Sequence, residues 1–159
     1  MARRVLVRSA NESDIPGMAL IRAWERGSRD EWETRIAAYL AGTHHPQKAL
    51  RPRACYVAIV DDTLAGFVAG HLTRRYGCDG ELQWINVYPE WQRRHVGSAL
   101  LREMASWFVA QRAVRICVDV DPGNGPACAF YERHGARELN RHWLVWDDIT
   151  PLSIGEHSG

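Results

Sequence analysis

The chain has 159 residues, of which 46% are hydrophobic and 25% charged, as in an ordinary globular protein. Its 20 lysines and arginines nearly balance 19 aspartates and glutamates, so no net field favours nucleic acid or an anionic membrane. No stretch is apolar over the roughly 20 residues that a membrane span needs. We therefore expect one cytoplasmic domain over residues 1–159, with a core from about 5 to 147 and a tail after it.

The cysteines and histidines show no metal-binding pattern. The adjacent histidines His44 and His45 have no third ligand at a useful spacing, and no C-x-x-C pair occurs. We therefore expect no metal site and reduced thiols that pack as small hydrophobic groups. The four cysteines are Cys55, Cys78, Cys117 and Cys128.

The first part of the chain predicts one strand and two helices. Asn11 and Asp14 offer capping side chains for the first helix, which should run to about Arg26. Its apolar residues recur at helical spacing as far as Trp24, which we expect in the core. The predicted elements are a strand over 5–8, a helix up to 26, a helix over 30–41 and a polar loop over 42–52.

The remainder alternates strands with two further helices. A short turn at Asp61 and Asp62 predicts a hairpin. Gly97 opens an amphipathic helix, and Gly135 ends a shorter one. Strands are predicted over 54–60, 64–73, 80–88, 114–120 and 142–147. The order β-α-α-β-β-β-α-β-α-β predicts an α/β fold with a mixed, mostly antiparallel sheet flanked by helices.

Residues 86–98, NVYPEWQRRHVGS, predict an anion site. An apolar strand passes into a basic turn, and a glycine then opens a helix. The first amides of a helix have no intrahelical partner and lie at the positive end of the helix dipole, so a pyrophosphate can bind there. Arg93 and Arg94 add full positive charges beside these amides.

Three patterns, in this order along the chain, resemble the GCN5-related N-acetyltransferase (GNAT) family. Val87 begins V-Y-P, which is similar to the family's V-x-P at the end of a strand. Gln92 begins Q-R-R-H-V-G, which resembles the acetyl-CoA signature (Q/R)-x-x-G-x-(G/A) but carries His95 in place of its glycine. Asn124 begins N-x-x-A-x-x-x-Y, which ends at Tyr131 and is followed by H-G-A, like the family's last segment. The resemblance covers roughly residues 5–147 and implies the GNAT fold.

The resemblance implies acetyl-CoA as the acyl donor, without a metal. Its pyrophosphate would contact Gln92, Arg93, Arg94, His95, Val96, Gly97 and Ser98. If the strand splays from its neighbour, backbone groups near Val87 would bind the pantetheine arm and polarise the thioester carbonyl. Asn124 would cap its helix and face the cofactor. If the glycine position needs a positive φ, His95 carries a conformational penalty; its side chain would point into solvent or donate to a phosphate.

The resemblance also implies catalytic roles. Tyr131 would donate a proton to the departing thiolate. Attack requires a neutral amine, so a base or a water relay is expected, and Glu81 lies where histone acetyltransferases of the family carry their glutamate base. In a strand without a bulge, its side chain would share a face with Ile85 and Val87. Asp119 and His142 are alternatives for the base.

These observations predict an acetyl-CoA-dependent N-acetyltransferase that acts on a primary amine by direct attack in a ternary complex. The acceptor, a small molecule or a protein, stays open, as does a homodimer. One alternative is a non-catalytic acyl-CoA-binding or regulatory module. Another is an enzyme that acetylates aminoacyl-tRNA, against which the near-neutral charge argues because phosphate contacts supply most of such affinity.

Overall fold

A computed structural model describes residues 4–43, 49–92 and 95–153. The histidines His44 and His45 and the arginines Arg93 and Arg94 lie outside the described residues. The strands are β1 (Val5–Ser9), β2 (Ala49–Val60), β3 (Thr63–Thr73), β4 (Gly80–Val87), β5 (Ile116–Asp119), β6 (Arg137–Asn140) and β7 (Trp143–Trp146). The α-helices are α1 (Ile15–Glu25), α2 (Arg29–Ala41), α3 (Val96–Ala110), α4 (Gly125–Arg133) and α5 (Thr150–Ser153).

All seven strands join one sheet in the order β1-β2-β3-β4-β5-β7-β6. Only β4 and β5 pair in parallel, and the other neighbours are antiparallel, which confirms the predicted mixed sheet. The chain end holds two strands where the sequence predicted one. The additional strand, β6, reads RELN and lies at the sheet edge, so Leu139 alone gave an apolar signal.

The core has two main parts, one on each face of the sheet. Buried residues of α1 and α2 pack on one face, and those of α3 pack on the other. The second part continues beyond residue 147, because Ile149 is buried and Leu152 of α5 packs beside it. Among the described helices, none combines the length and the apolar character that a membrane span needs.

The exposure of Trp24 contradicts the prediction that it belongs to the core. Its side chain is 69% exposed, whereas Met18 and Ile21 of the same helix are buried. Three residues of an α-helix turn about 300°, which is about 60° short of a full turn. Residues spaced three apart therefore move around the helix by about 60° at each step. From Ile15, three such steps bring Trp24 to the opposite side of α1.

The predicted hairpin between β2 and β3 is confirmed. Val60 pairs with Thr63, and the two residues between them have positive φ, 52° at Asp61 and 61° at Asp62. Positive φ at both central residues is the property of the type I′ turn, whose twist matches that of the flanking strands. Strand β2 starts at Ala49, earlier than predicted, with an irregularity in its pairing around Pro52.

A bulge at Gln83 divides β4 into two halves. Trp84 pairs with Ala69 of β3 and Leu82 with the next residue, Gly70, so Gln83 is one residue in excess. An extra residue reverses the alternation of side chains. Glu81 therefore lies on the α2 face together with Trp84 and Asn86, rather than with Ile85 and Val87, where a strand without a bulge would have placed it.

Strands β4 and β5 are paired only over residues 80–82 of β4. Beyond Leu82 the β5-facing edge of β4 has no strand partner among the described residues. The two strands thus separate, as the resemblance implied, and leave an open edge that continues to the start of α3.

Candidate functional site

A cleft of about 1010 Å³ lies where the open edge of β4, the first turn of α3 and helix α4 meet. It is larger than a second cavity, of about 330 Å³, that lies between β2 and Trp107. It brings together most of the residues that the sequence predicted for the site: Val87, Gln92, His95, Gly97, Ser98, Asn124 and Tyr131.

The first turn of α3 supplies to this cleft amides that have no acceptor within the helix. The first intrahelical bond joins the Ala99 amide to the His95 carbonyl at 3.0 Å, so the amides of Val96, Gly97 and Ser98 have no acceptor within the helix. They lie at the positive end of a 15-residue helix. This arrangement fits the phosphate groups of a CoA molecule.

His95 precedes α3 in the left-handed conformation, with φ 64° and ψ 11°. The condition under which His95 carries a conformational penalty, a positive φ, is therefore met. The side chain is exposed, lines the cleft and makes no capping hydrogen bond. Histidine tolerates this region better than most residues, although glycine would adopt it without strain.

Gly97 allows α3 and α4 to approach each other closely. A Cβ at this position would lie 3.0 Å from Cε1 and 3.2 Å from Cζ of Phe130 on α4. Such contacts are tighter than ordinary van der Waals packing. The glycine of the signature thus sets the distance between two walls of the cleft.

The open edge of β4 carries backbone groups of Ile85 and Val87. The Tyr88 amide donates to Ala65 of β3, and hydrogen-bonded pairs alternate along an antiparallel ladder. The amides and carbonyls of Ile85 and Val87 therefore point away from β3, into the cleft. The Val87 carbonyl accepts a hydrogen bond of 3.0 Å from Nε2 of Gln92, so Gln92 ties the signature loop to this strand.

Tyr131 lies on α4 and is buried, in edge-to-face contact with Trp146 at 5.7 Å between ring centroids. Burial raises the pKa of its hydroxyl above the ordinary value, and the Glu25 carboxylate raises it further. Within the described residues no hydrogen bond engages this hydroxyl. At the start of the same helix, the Asn124 side chain accepts from the Ala127 amide at 3.2 Å, which confirms its capping role.

Glu81 is buried outside the residues that line the cleft. Its Oε1 lies 3.5 Å from Nε2 of His71 and 3.4 Å from Nε of Arg75. His71 in turn contacts the Tyr39 hydroxyl through Nδ1 at 2.9 Å. Burial, and then the charge of Glu81, raise the pKa of the nearby Asp119 carboxyl. The role of Glu81 as a base remains a prediction.

The sequence assigned no role to the side chains of several cleft residues, notably Glu25, Asn86 and His134. Two of them have features that can be recognised in the sequence. Asn86 is a polar residue within the apolar strand that ends at Val87, and Glu25 is an acidic residue at a helix C-terminus, where the helix dipole disfavours it. Across the ranges that the structure describes, no group of three or more metal-ligating side chains occurs.

The fold is shared with known acetyltransferases. The aminoglycoside N-acetyltransferase AAC(6')-Iy, solved in complex with CoA, aligns over 89% of this chain and 93% of its own, with 20% identity and a TM-score of 0.73. The PaiA N-acetyltransferase from Thermoplasma acidophilum, in complex with coenzyme A, covers 89% and 97% with 15% identity and a TM-score of 0.64.

A third similar structure is the ribosomal-protein-S18-alanine N-acetyltransferase from Escherichia coli, which covers 89% of this chain and 91% of its own at 18% identity and a TM-score of 0.63. A search of curated proteins found no match. The model of the Acetyltransferase (GNAT) family matches residues 19–136, which is more than half of the sequence and includes the cleft's β4 edge, signature loop and α4. This chain therefore belongs to the GNAT family of acetyltransferases.

Proposed function

We propose that the protein is an acetyl-CoA-dependent N-acetyltransferase that acts on a primary amine by direct attack within a ternary complex. One observation carries the proposal: helix amides without an intrahelical acceptor, a strand edge without a partner strand among the described residues, and a buried tyrosine line the same cleft. Those are the groups that a pyrophosphate, a pantetheine amide arm and a departing thiolate require.

The donor would bind through its phosphates at the amides of Val96, Gly97 and Ser98. Arg93 and Arg94 would add charge on the basis of their position in the sequence. The amides of Ile85 and Val87 are the available donors on β4 for the pantetheine arm and for the thioester carbonyl. Gln92 acts as a positioning residue, because it occupies the Val87 carbonyl and holds the loop against the strand.

Acetyl-CoA supplies the activated acyl group, and the chain's residues handle protons and position. Because burial raises the pKa of Tyr131, its hydroxyl stays protonated through neutral pH and is ready to donate to a leaving thiolate. A free thiol has a pKa near 8.5 and an ordinary phenol one near 10, so proton transfer from Tyr131 to the departing thiolate is uphill, and the proton released by the attacking nitrogen restores the phenol. For the base, Glu81 remains a proposal with Asp119 and His142 as alternatives.

A thiol-release screen tests the proposal. Purified protein is mixed with acetyl-CoA and pools of primary amines, and the released CoA thiol is measured against acetyl-CoA alone. Amine-dependent release, with the acetylated amine identified by mass spectrometry, is the expected result. If calorimetry detects CoA binding but no amine promotes release, the non-catalytic module replaces this proposal. Salt-dependent tRNA binding together with release from aminoacyl-tRNA would indicate the other alternative.

A further inference from the structure

Glu25 is the one carboxylate among the described residues that line the cleft. It is the last residue of α1, on the layer opposite α3, and it shares the cleft with Tyr131 and Val87. Among the charged groups near Tyr131, Glu25 has the largest effect on the pKa of its hydroxyl, which it raises. The cleft therefore holds a negative charge that acts on its proposed general acid.

A chain of hydrogen bonds holds this carboxylate in place. Nη1 of Arg22 donates to Oδ1 of Asn86 at 3.1 Å, and Nδ2 of Asn86 donates to Oε2 of Glu25 at 2.8 Å. A guanidinium can only donate, so Arg22 fixes which end of the Asn86 amide faces Glu25. The other carboxylate oxygen, Oε1, makes no hydrogen bond within the described residues and is available to a ligand.

The position of Glu25 is unfavourable for the helix and favourable for a cation. The C-terminus of an α-helix carries partial negative charge, so a carboxylate there is repelled by the helix's own carbonyl groups. A bound ammonium group would be attracted both by the Glu25 carboxylate and by the carbonyl groups at the end of the helix. The fixed orientation and the unfavourable location together suggest a ligand-binding rather than a stabilising role for this side chain.

We propose that Glu25, in place of Glu81, Asp119 or His142, none of which lines the cleft, binds the ammonium group of the acceptor and takes a proton from it before attack. The inference rests on the proposed function. The neutral nitrogen then forms the C–N bond with the acetyl carbon as the C–S bond breaks, and the CoA thiolate receives a proton from Tyr131. The proton lost from nitrogen as the amide forms balances the one that Tyr131 gives, and the proton on Glu25 passes to solvent. Asn86 and Arg22 are positioning residues.

The test compares Glu25→Gln with Glu132→Gln, an equal change at an exposed glutamate next to Tyr131. The glutamine side chain can still accept the hydrogen bond from Asn86, but the substitution removes the negative charge of the carboxylate. For alkyl amines, kcat/KM should fall by roughly 10² in Glu25→Gln, a typical contribution of a general base, while the CoA dissociation constant and the Glu132→Gln variant stay at wild-type values. Hydroxylamine, a nucleophile that is uncharged at neutral pH, should be affected far less.

A loss below about tenfold with alkyl amines, or an equal loss with hydroxylamine, would overturn the role of Glu25. Calorimetry of an alkyl amine with the CoA-loaded protein gives a second readout, in which the variant should bind at least about tenfold more weakly. A wild-type protein that binds amines through Glu25 but releases no thiol would contradict the proposed transfer and support the amine site. Equal amine binding by both proteins would refute that site.

Discussion

The hydroxyl of Ser98 on α3 lies 2.9 Å from Nε2 of His134 at the end of α4. Nδ1 of the same imidazole lies 2.8 Å from the Phe130 carbonyl oxygen, which can only accept. In the neutral imidazole, Nδ1 therefore carries the proton, and Nε2 accepts the hydrogen bond that Ser98 donates. This bond joins two walls of the cleft directly beside the α3 amides that have no intrahelical acceptor.

We expect Ser98→Ala to lower the free energy of unfolding by about 0.5–1.5 kcal/mol, the usual net contribution of one neutral hydrogen bond. Chemical denaturation of the free protein measures this change. Ser9→Ala, which removes an exposed hydroxyl on β1, serves as the control and should stay within about 0.5 kcal/mol of wild type. Equal stability of the two variants would show that the bond between α3 and α4 contributes nothing.

Tyr131→Phe should lower kcat by about 10²–10⁴, the range typical of a general acid, and leave the affinity for acetyl-CoA nearly unchanged. The phenyl ring keeps the edge-to-face packing on Trp146, so folding is preserved. Steady-state kinetics on a verified amine, with calorimetry for donor binding, separates the two effects. Tyr76→Phe, at a half-exposed tyrosine, is the matched control. Equal turnover of both variants would rule out the role of Tyr131.

The left-handed backbone at His95 predicts an order of stabilities. Glycine adopts this conformation freely, whereas a β-branched residue is a strong outlier there. His95→Val should lower the free energy of unfolding by about 1–2 kcal/mol, while His95→Gly should not lower it. Thermal or chemical denaturation checks the order, and a glycine variant less stable than the valine variant would contradict it.

Asp14 predicts an acid-sensitive contribution to stability. The Arg8 side chain, at 2.8 Å and 2.9 Å, and the Asn11 amide hold the pKa of this buried carboxyl below its usual range. A lowered folded-state pKa means that the contribution is complete above the unfolded value of about 3.9 and is lost as pH falls through the lower folded value.

Asp14→Asn should therefore lower stability at pH 7 and flatten its decline below about pH 4. Denaturation at a series of pH values provides the measurement, with Glu12→Gln as the exposed control in the same turn. Parallel acid declines for Asp14→Asn and wild type would show that Asp14 is not responsible.

Local chemistry predicted much of the fold and of the site. The turn at Asp61 and Asp62, the cap at Asn124 and the positive φ at His95 each depend on residues adjacent in sequence, so the pattern carried the information. The strand-to-helix junction ending at Gly97 likewise identified one wall of the cleft.

Contacts between residues that are far apart in the sequence were harder to predict. Asn86 and Glu25 are 61 positions apart, and nothing local indicates that they hydrogen-bond. The face of β4 on which the Glu81 side chain lies depended on the bulge at Gln83. In addition, helices cover both faces of β4, and strict alternation of apolar and polar residues is lost in such a strand. Apolar Trp84 and Ile85 are adjacent in this strand, which is the sequence pattern expected of burial on both faces, whereas no local pattern indicates the bulge.

The bulge at Gln83 also constrains the length of this strand. An insertion or deletion of one residue between Leu82 and Asn86 would exchange the two layers for every side chain on one side of the change. Asn86 would then leave the layer of α1, and Glu25 would lose its partner even though each residue was retained. A second insertion or deletion of one residue would return each side chain to its original face of the sheet. Natural variation in the length of this segment should therefore come in multiples of two residues. The number of residues along β4 determines the site as much as their identities do.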